Sequence, residues 1–152
     1  MNIRMITDKV FLLGFVDWDA RLFDSLIPLP DGTSYNAFLV EGSEKTALID
    51  TVESEFSDEL LTQLSGVKRL DYIVSLHAEQ DHSGGIPAIL VKYPEAKVIT
   101  SAKAKDMLID LLSIPENSII TVADGETLSL GDKTLEFIYT PWVHWPETMS
   151  AY

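Results

Sequence analysis

One stretch of this chain, residues 75–85, constrains its fold and function more than any other. Its first two residues end the apolar run from Leu70 to Leu76. Within the next six residues, four side chains can bind metal: His77, Glu79, Asp81 and His82. An apolar run that ends in alternating polar residues is typical of a buried strand whose last side chains reach a cleft. Because α/β proteins place their chemistry at such strand ends, we expect a functional site here.

The spacing of these side chains indicates how they divide between metal ions. On an extended backbone His77, Glu79 and Asp81 would all point the same way. His82 joins them only if the chain turns, and the glycine pair 84–85 allows a turn. One cation would then bind His77 and Glu79, and a second would bind Asp81 and His82. Imidazole with carboxylate suits iron, manganese or zinc. The alternative is a polar loop that caps the next helix through Asp81 or Ser83.

Histidine usage favours the metal interpretation. The chain has three histidines: two lie in this stretch, and the third, His144, follows the apolar run 135–139. All three therefore stand where a predicted strand ends, and none is left for an ordinary surface position. A single histidine is more often a core or surface residue, but this grouping is typical of a metal site.

Composition limits the classes of function. A length of 152 residues and a hydrophobic content of 46% are typical of one folded domain and exclude a disordered chain. The formal net charge of -13 argues against nucleic acid and anionic membranes, because binding phosphates needs clustered Lys and Arg. Without cysteine there is no disulfide, thiolate nucleophile or iron–sulfur cluster. No secretory signal or apolar run of about 20 residues is present, so we expect a cytoplasmic protein.

The order of predicted elements is strands first, then alternating helices and strands. This order is typical of a mixed sheet covered by helices, an α/β (α+β) fold. Residues 17–23 are expected to form a loop or short turn, and residues 28–32 a turn. Helices are predicted at 55–64, 85–93 and 102–112. Strands are predicted at 3–6, 10–16, 34–40, 46–49, 70–76, 97–100, 118–122, 127–130 and 134–139.

Three side chains outside the metal motif have open roles. Asp50, which ends a predicted strand, either supports the ligand cleft or caps the following helix, and its spacing favours the cap. Trp18 and Phe23 either form a wall near the cleft or pack against the surface of the domain. Their spacing favours neither role.

These motifs together resemble the metallo-β-lactamase fold. Glutamate at position 79, where hydrolases of that fold usually have histidine, resembles the flavodiiron proteins. The resemblance extends over nearly the whole chain. Its further motifs are 28–36, 48–52, 124–131, Thr140-Pro141 and 142–148.

The resemblance implies a diiron oxidoreductase. In that family His77, Glu79 and His144 would bind one iron, and Asp81 with His82 would bind the other. No further catalytic residue and no FMN-binding residue is implied here. The family reduces dioxygen to water or nitric oxide to nitrous oxide with electrons from FMN. The tryptophans Trp18, Trp142 and Trp145 are candidates for a wall that shields the site.

The sequence departs from the family in one respect. Family members have a bridging aspartate and a final histidine beyond the third histidine, followed by a flavodoxin-like FMN domain, and none of these has a counterpart here. Residues 1–152 are therefore expected to be the N-terminal portion of the diiron domain, about half of an αββα sandwich, with an incomplete second iron site. One sheet is expected to lack its partner and to expose an apolar face. We expect a completing polypeptide or homo-oligomer and an FMN-bearing redox partner.

Two other functions fit the same residues. A non-catalytic diiron sensor of dioxygen or nitric oxide would keep the ligands without turnover. A zinc hydrolase of this fold would use metal-bound hydroxide, although Glu79 argues against it. A metal-free structural remnant would tolerate substitution of His77 and His82.

Overall fold

The fold is described by a computed structural model for residues 3–23 and 25–152 of the predicted domain 1–152. The α-helices in these ranges are α1 (Ser57–Gln63), α2 (Gln80–Ser83), α3 (Ile86–Lys92) and α4 (Ala102–Leu112). The strands are β1 (Arg4–Thr7), β2 (Val10–Asp17), β3 (Leu22–Phe23), β4 (Ile27–Pro28), β5 (Thr33–Glu41), β6 (Thr46–Ile49), β7 (Tyr72–Val74), β8 (Lys97–Ser101), β9 (Ile119–Val122), β10 (Thr127–Ser129), β11 (Thr134–Tyr139) and β12 (Met149–Ala151).

A seven-stranded mixed sheet forms the centre of the domain, in the order β1-β2-β5-β6-β7-β8-β9. Strands β1, β2, β5 and β6 pair antiparallel, whereas β6 to β9 pair in parallel. Each parallel connection contains at least one of the four α-helices. Parallel strands need such crossovers, and the carboxyl ends of β6, β7 and β8 therefore meet at one edge. The metal motif follows β7 directly and lies at this edge.

The helices cover one face of the large sheet. Leu48, Ile73 and Val98 project from adjacent strands into a core that also contains Leu60 of α1 and Leu108 of α4. All five side chains are buried. Burial of apolar side chains between a sheet and its helices is the main stabilising contribution here.

The other face of the sheet is covered by a smaller sheet of β10, β11 and β12. Phe137 and Met149 of this sheet pack in one core with Ile49, Val74 and Ile99. The expectation that one sheet would expose its apolar face is therefore wrong for this face. Alternate residues of β11 point outward and are exposed: Thr134, Glu136 and Ile138. The predicted α/β fold is confirmed, with a second sheet that is small beside the first.

The boundaries of several elements differ from the predictions. The predicted helix 55–64 is α1 flanked by the 3-10 turns Ser54–Phe56 and Leu64–Gly66. The predicted strand 70–76 is a regular strand only over Tyr72–Val74, and Ser75 makes one further backbone hydrogen bond to Ile99 O of β8. Strands β3 and β4 form a small hairpin where a loop and a turn were expected. Strand β12 was missed because three residues are too few to show a period.

Among the residues that the structure describes, no helix combines the length and apolarity needed to cross a lipid bilayer.

Candidate metal centre

The segment between β7 and α2 positions the first two candidate ligands. Ser75 donates its backbone N–H to Ile99 O at 2.9 Å and its hydroxyl to His77 O at 3.0 Å. The chain then leaves the sheet, and α2 begins at Gln80 with Glu79 at its N-cap position. The backbone turns directly after Glu79, so the extended arrangement considered for His77 to Asp81 is not present.

The glycine pair has a different role from the predicted one. Both glycines have helical φ values, and the turn precedes them. A side chain at Gly84 would instead collide with the backbone, because its Cβ would lie 2.7 Å from Ser54 N and 3.1 Å from Val52 O. Gly84 therefore allows the ligand helix to pack against the segment that follows β6.

Three candidate ligand atoms converge at one point. His77 Nε2 lies 2.9 Å from Glu79 Oε2 and 3.2 Å from His144 Nε2. His144 Nε2 lies 3.0 Å from Glu79 Oε2. His77 is buried, Glu79 is half-buried and His144 is exposed. His144 comes from the loop between β11 and β12, 67 residues away from His77 in sequence. The structure thus brings together the three residues expected at the first metal.

Asp81 and His82 lie beside this group as the second candidate pair. His82 Nε2 is 3.6 Å from Asp81 Oδ2, and the ring centres of His77 and His82 are 5.3 Å apart. Asp81 Oδ1 is buried and has no hydrogen-bond partner among the described residues. The loop-capping alternative is not what the structure shows, because neither Asp81 nor Ser83 caps α2 or α3 through its side chain.

Asp50 supports His82, and the prediction that it caps a helix is wrong. Its carboxylate accepts a hydrogen bond from His82 Nδ1 at 3.0 Å and from Leu76 N–H at 2.8 Å. Asp50 has a left-handed backbone with φ of 54°, a strained conformation that functional sites often contain. Both partners are distant in sequence, which is why local spacing could not identify them. Thr51 fixes the same histidine by donating its N–H and hydroxyl to His82 O.

The Asp50–His82 pair is electrostatically coupled. Burial raises the pKa of the Asp50 carboxyl, and the hydrogen bond from His82 opposes this. Burial lowers the pKa of His82, but the hydrogen bond and charge of Asp50 outweigh it, so the pKa is raised overall. The ionised carboxylate accepts only, so Asp50 holds the proton of His82 on Nδ1 and leaves Nε2 facing Asp81.

Glu147 contacts the candidate ligand His77, and the sequence did not predict this contact. Its carboxylate lies 2.7 Å from His77 Nδ1, on the opposite side of the ring from the other ligands. The available signal was its place three residues after His144, but the contact spans 70 residues of sequence.

An open cavity of about 520 Å³ lies next to the ligands. Its wall includes Glu79 and Asp81, and it also includes Trp145, whose ring centre is 5.0 Å from that of His77. Phe23 lines the cavity, whereas Trp18 and Trp142 are exposed surface residues outside its lining. Three further carboxylates line it: Asp17, Glu53 and Glu55.

The cavity wall is strongly acidic. Burial and the charge of Asp81 raise the pKa of Glu53, as expected where carboxylates crowd together. Anionic molecules are therefore repelled from this cavity, whereas small neutral molecules are not.

The residues fit a transition-metal cation. Two imidazole nitrogens and a carboxylate oxygen lie 2.9–3.2 Å from one another, a group that could hold a metal ion. Buried carboxylate oxygens without a partner are costly, and Asp81 Oδ1 is one of them. His and carboxylate ligands suit iron, manganese or zinc.

Comparison with protein families identifies relatives of the whole chain. The model described as ODP family beta lactamase matches residues 33–152. The chain is 38% identical over 155 residues to rubredoxin-oxygen oxidoreductase of Megalodesulfovibrio gigas, covering all of this chain and 38% of that protein. It is 40% identical over 151 residues to nitric oxide reductase of Moorella thermoacetica, covering 97% of this chain and 38% of that protein. The chain thus spans well under half the length of these relatives.

Solved structures give the same result. The structure of rubredoxin oxygen:oxidoreductase from Desulfovibrio gigas superposes with a TM-score of 0.93 at 37% identity, over 99% of this chain and 38% of that one. The flavodiiron protein from Giardia intestinalis gives 0.92 at 28% identity, over 100% and 37% of the two chains. A B3 metallo-beta-lactamase described as having an active-site glutamic acid gives 0.78 at 18% identity, over 99% and 56%, which shows the shared fold alone.

Proposed function

We propose that this chain is the N-terminal portion, residues 1–152, of a diiron oxidoreductase domain. The chain belongs to the ODP family of beta lactamases and, within it, to the flavodiiron proteins. The reaction would be reduction of dioxygen to water, of nitric oxide to nitrous oxide, or of both. A relative named rubredoxin-oxygen oxidoreductase is 38% identical to this chain, and one named nitric oxide reductase is 40% identical.

The convergence of His77, Glu79 and His144 carries this proposal. These residues would hold one iron, and Asp81 with His82 would contribute to the second. When bound, the two irons would bind the diatomic gas and supply electrons to it. Glu79 adds negative charge where an imidazole would be neutral, which favours a metal that cycles between ferrous and ferric states.

The remaining residues of the site act on access and orientation. Asp50 holds His82 by its Nδ1 and keeps Nε2 directed toward the second metal position. Trp145 covers one side of His77 and limits the approach of water. The carboxylates of the cavity wall disfavour anionic molecules but leave neutral gases unaffected.

The electrons and the remaining ligands would come from outside the described chain. A relative named type A flavoprotein, from Rhodobacter capsulatus, supports a flavin as the donor, and this chain covers 35% of it. We propose that FMN is held by another domain or polypeptide. The same additional sequence, or a second copy, would complete the second iron site.

A hybrid enzyme tests this proposal. In it, this chain replaces the matching N-terminal part of the Megalodesulfovibrio gigas protein, whose structure superposes with a TM-score of 0.93. We expect the hybrid to bind two irons and to reduce dioxygen or nitric oxide. Glu79→Ala should lower the iron content and abolish reduction of both gases.

The matched control is Glu55→Ala, which removes a carboxylate from the same cavity wall but none from the ligand group. It should leave iron content and rates unchanged within a factor of a few. Full iron content in the Glu79→Ala hybrid would contradict the ligand assignment. A correctly folded hybrid that binds iron but reduces neither gas would contradict the catalytic proposal and favour a sensor.

A further inference from the structure

Glu147 is a buried carboxylate that lies behind the ring of His77. Its side chain has 0% exposure, and Oε1 lies 2.7 Å from His77 Nδ1 and 3.1 Å from Ala78 N. Oε2 is buried and has no hydrogen-bond partner among the described residues. Burial of a carboxylate with one unpaired oxygen opposes folding unless a nearby positive charge compensates. No Lys or Arg of the described chain forms an ion pair with it.

The position of Glu147 determines which nitrogen of His77 is available to a metal. A carboxylate only accepts hydrogen bonds, so His77 must donate Nδ1–H to Oε1. Nε2 then carries a lone pair, and this is the nitrogen that faces Glu79 and His144. A carboxylate behind a ligating imidazole fixes the orientation of the ring and increases its basicity.

The backbone of Glu147 is itself anchored. Its carbonyl accepts a hydrogen bond from the buried hydroxyl of Ser101 at 2.9 Å, at the end of β8. Glu147 follows His144 by three residues in the same loop. The loop between β11 and β12 therefore contributes one candidate ligand directly and orients a second one through Glu147.

We propose that Glu147 is a positioning residue for the first metal, which directs His77 Nε2 to the cation and strengthens its binding through negative charge. This inference rests on the metal-binding part of the proposed function. Removal of such a carboxylate typically weakens metal binding by about 10–100-fold. If Glu147 had only a structural role, a neutral glutamine at this position would stabilise the fold more, because no charge would be buried.

Two substitutions and one control separate charge from packing. Glu147→Gln keeps an oxygen that can accept from Nδ1–H and Ala78 N–H but removes the charge, whereas Glu147→Leu removes both. The control is Glu55→Gln, which removes an exposed carboxylate from the cavity wall but none from the ligand group. Each variant is titrated anaerobically with Co²⁺ against a competing chelator, and its visible absorption reports the ligand environment. The unfolding temperature of the metal-free protein is measured in parallel.

We expect the Co²⁺ affinity to fall about tenfold in Glu147→Gln and by up to about 100-fold in Glu147→Leu. The absorption spectrum of the bound ion should change in both, and the metal-free Glu147→Gln protein should unfold no earlier than wild type. Glu55→Gln should keep the affinity, the absorption spectrum and the unfolding temperature close to those of wild type. If Glu147→Leu does not fold, Glu147→Gln alone decides.

Two results would overturn the inference, and they are distinguishable. Unchanged affinity and spectrum in Glu147→Gln, with wild type binding Co²⁺ tightly, would refute the role of Glu147 and leave the metal site standing. A wild-type chain that does not bind Co²⁺ would refute the metal site and this inference together.

Discussion

Asp71 provides the most quantitative test of the energetics of this fold. It precedes β7, at the end of the strand opposite to the metal ligands, and its side chain is 7% exposed. Its carboxylate accepts hydrogen bonds from Thr46 N–H at 3.0 Å and Lys45 Nζ at 3.1 Å, and it also pairs with Arg69. Burial raises the pKa of Asp71, but these hydrogen bonds and charges outweigh it, so the pKa is lowered.

Asp71→Asn should destabilise the protein by about 2 kcal/mol near neutral pH. A hydrogen bond to a charged group contributes about 1.5–3 kcal/mol to stability, whereas a hydrogen bond to a neutral amide contributes about 1 kcal/mol. The side chains of Lys45 and Arg69 are 36% and 66% exposed. Their ion pairs are therefore screened and add no more than about 1 kcal/mol.

The sign of the pH dependence follows from the lowered pKa. The stabilisation is fully present above the unfolded-state value of about 3.9 and is lost as the pH falls through the folded-state pKa. The free energies of unfolding of wild type and Asp71→Asn should therefore converge in acid. Urea unfolding of the metal-free proteins between neutral and acidic pH measures this difference.

The control for Asp71 is Glu116→Gln, which breaks the exposed pair with Lys105 and should cause no measurable change. A difference between wild type and Asp71→Asn that stays constant as the pH falls, or that is absent at neutral pH, would refute the reasoning.

Two further predictions concern the small sheet and the second metal. Phe137→Ala should lower the free energy of unfolding in urea by about 3–5 kcal/mol, because Phe137 is fully buried between the sheets. The control Ile138→Ala, at the exposed neighbouring position, should lower it far less. Equal losses in the two variants would contradict this packing. In the hybrid enzyme, Asp50→Asn should weaken binding of the second metal by about 10–100-fold. The amide places an NH₂ group where a carboxylate oxygen now lies near His82 Nδ1, and that group cannot accept the hydrogen bond from Nδ1–H. Metal analysis after partial chelation should then give close to one metal per site, and retention of two would contradict the role of Asp50.

The fold class could be predicted because it depends on local patterns. The apolar run before His77 marks a central strand, and the helix of α4 begins and ends at the predicted residues. Strand β7 is shorter than its apolar run, because regular pairing ends at Val74 and the backbone hydrogen bond of Ser75 to Ile99 is the last one to β8. Apolar residues continue beyond the paired strand since the segment stays buried, and burial alone does not reveal where hydrogen bonding ends.

The side chains that orient the candidate ligands could not be predicted from local spacing. Asp50 and Glu147 contact histidines 32 and 70 residues away, and only the packing of strands brings them together. The ligand motif itself was visible because its members lie within six residues. His144 was found from the scarcity of histidine, which is a compositional signal and needs no knowledge of the fold.

The role of the aromatic residues depends on tertiary structure in the same way. Of the three tryptophans expected to form a wall, only Trp145 lines the cavity, because it is adjacent to His144 and its ring lies against His77. Trp142 precedes them in the same loop but is 74% exposed. Proximity in sequence to a ligand therefore did not decide which ring faces the site.

Native mass spectrometry of anaerobically purified protein, combined with metal analysis, tests the central claim most directly. It reports the assembly state together with the identity and number of bound metals. The account predicts iron, with two ions per completed site and a second polypeptide or second copy present. A monomer that contains only zinc and hydrolyses esters or amides, or one that binds no metal, would contradict it.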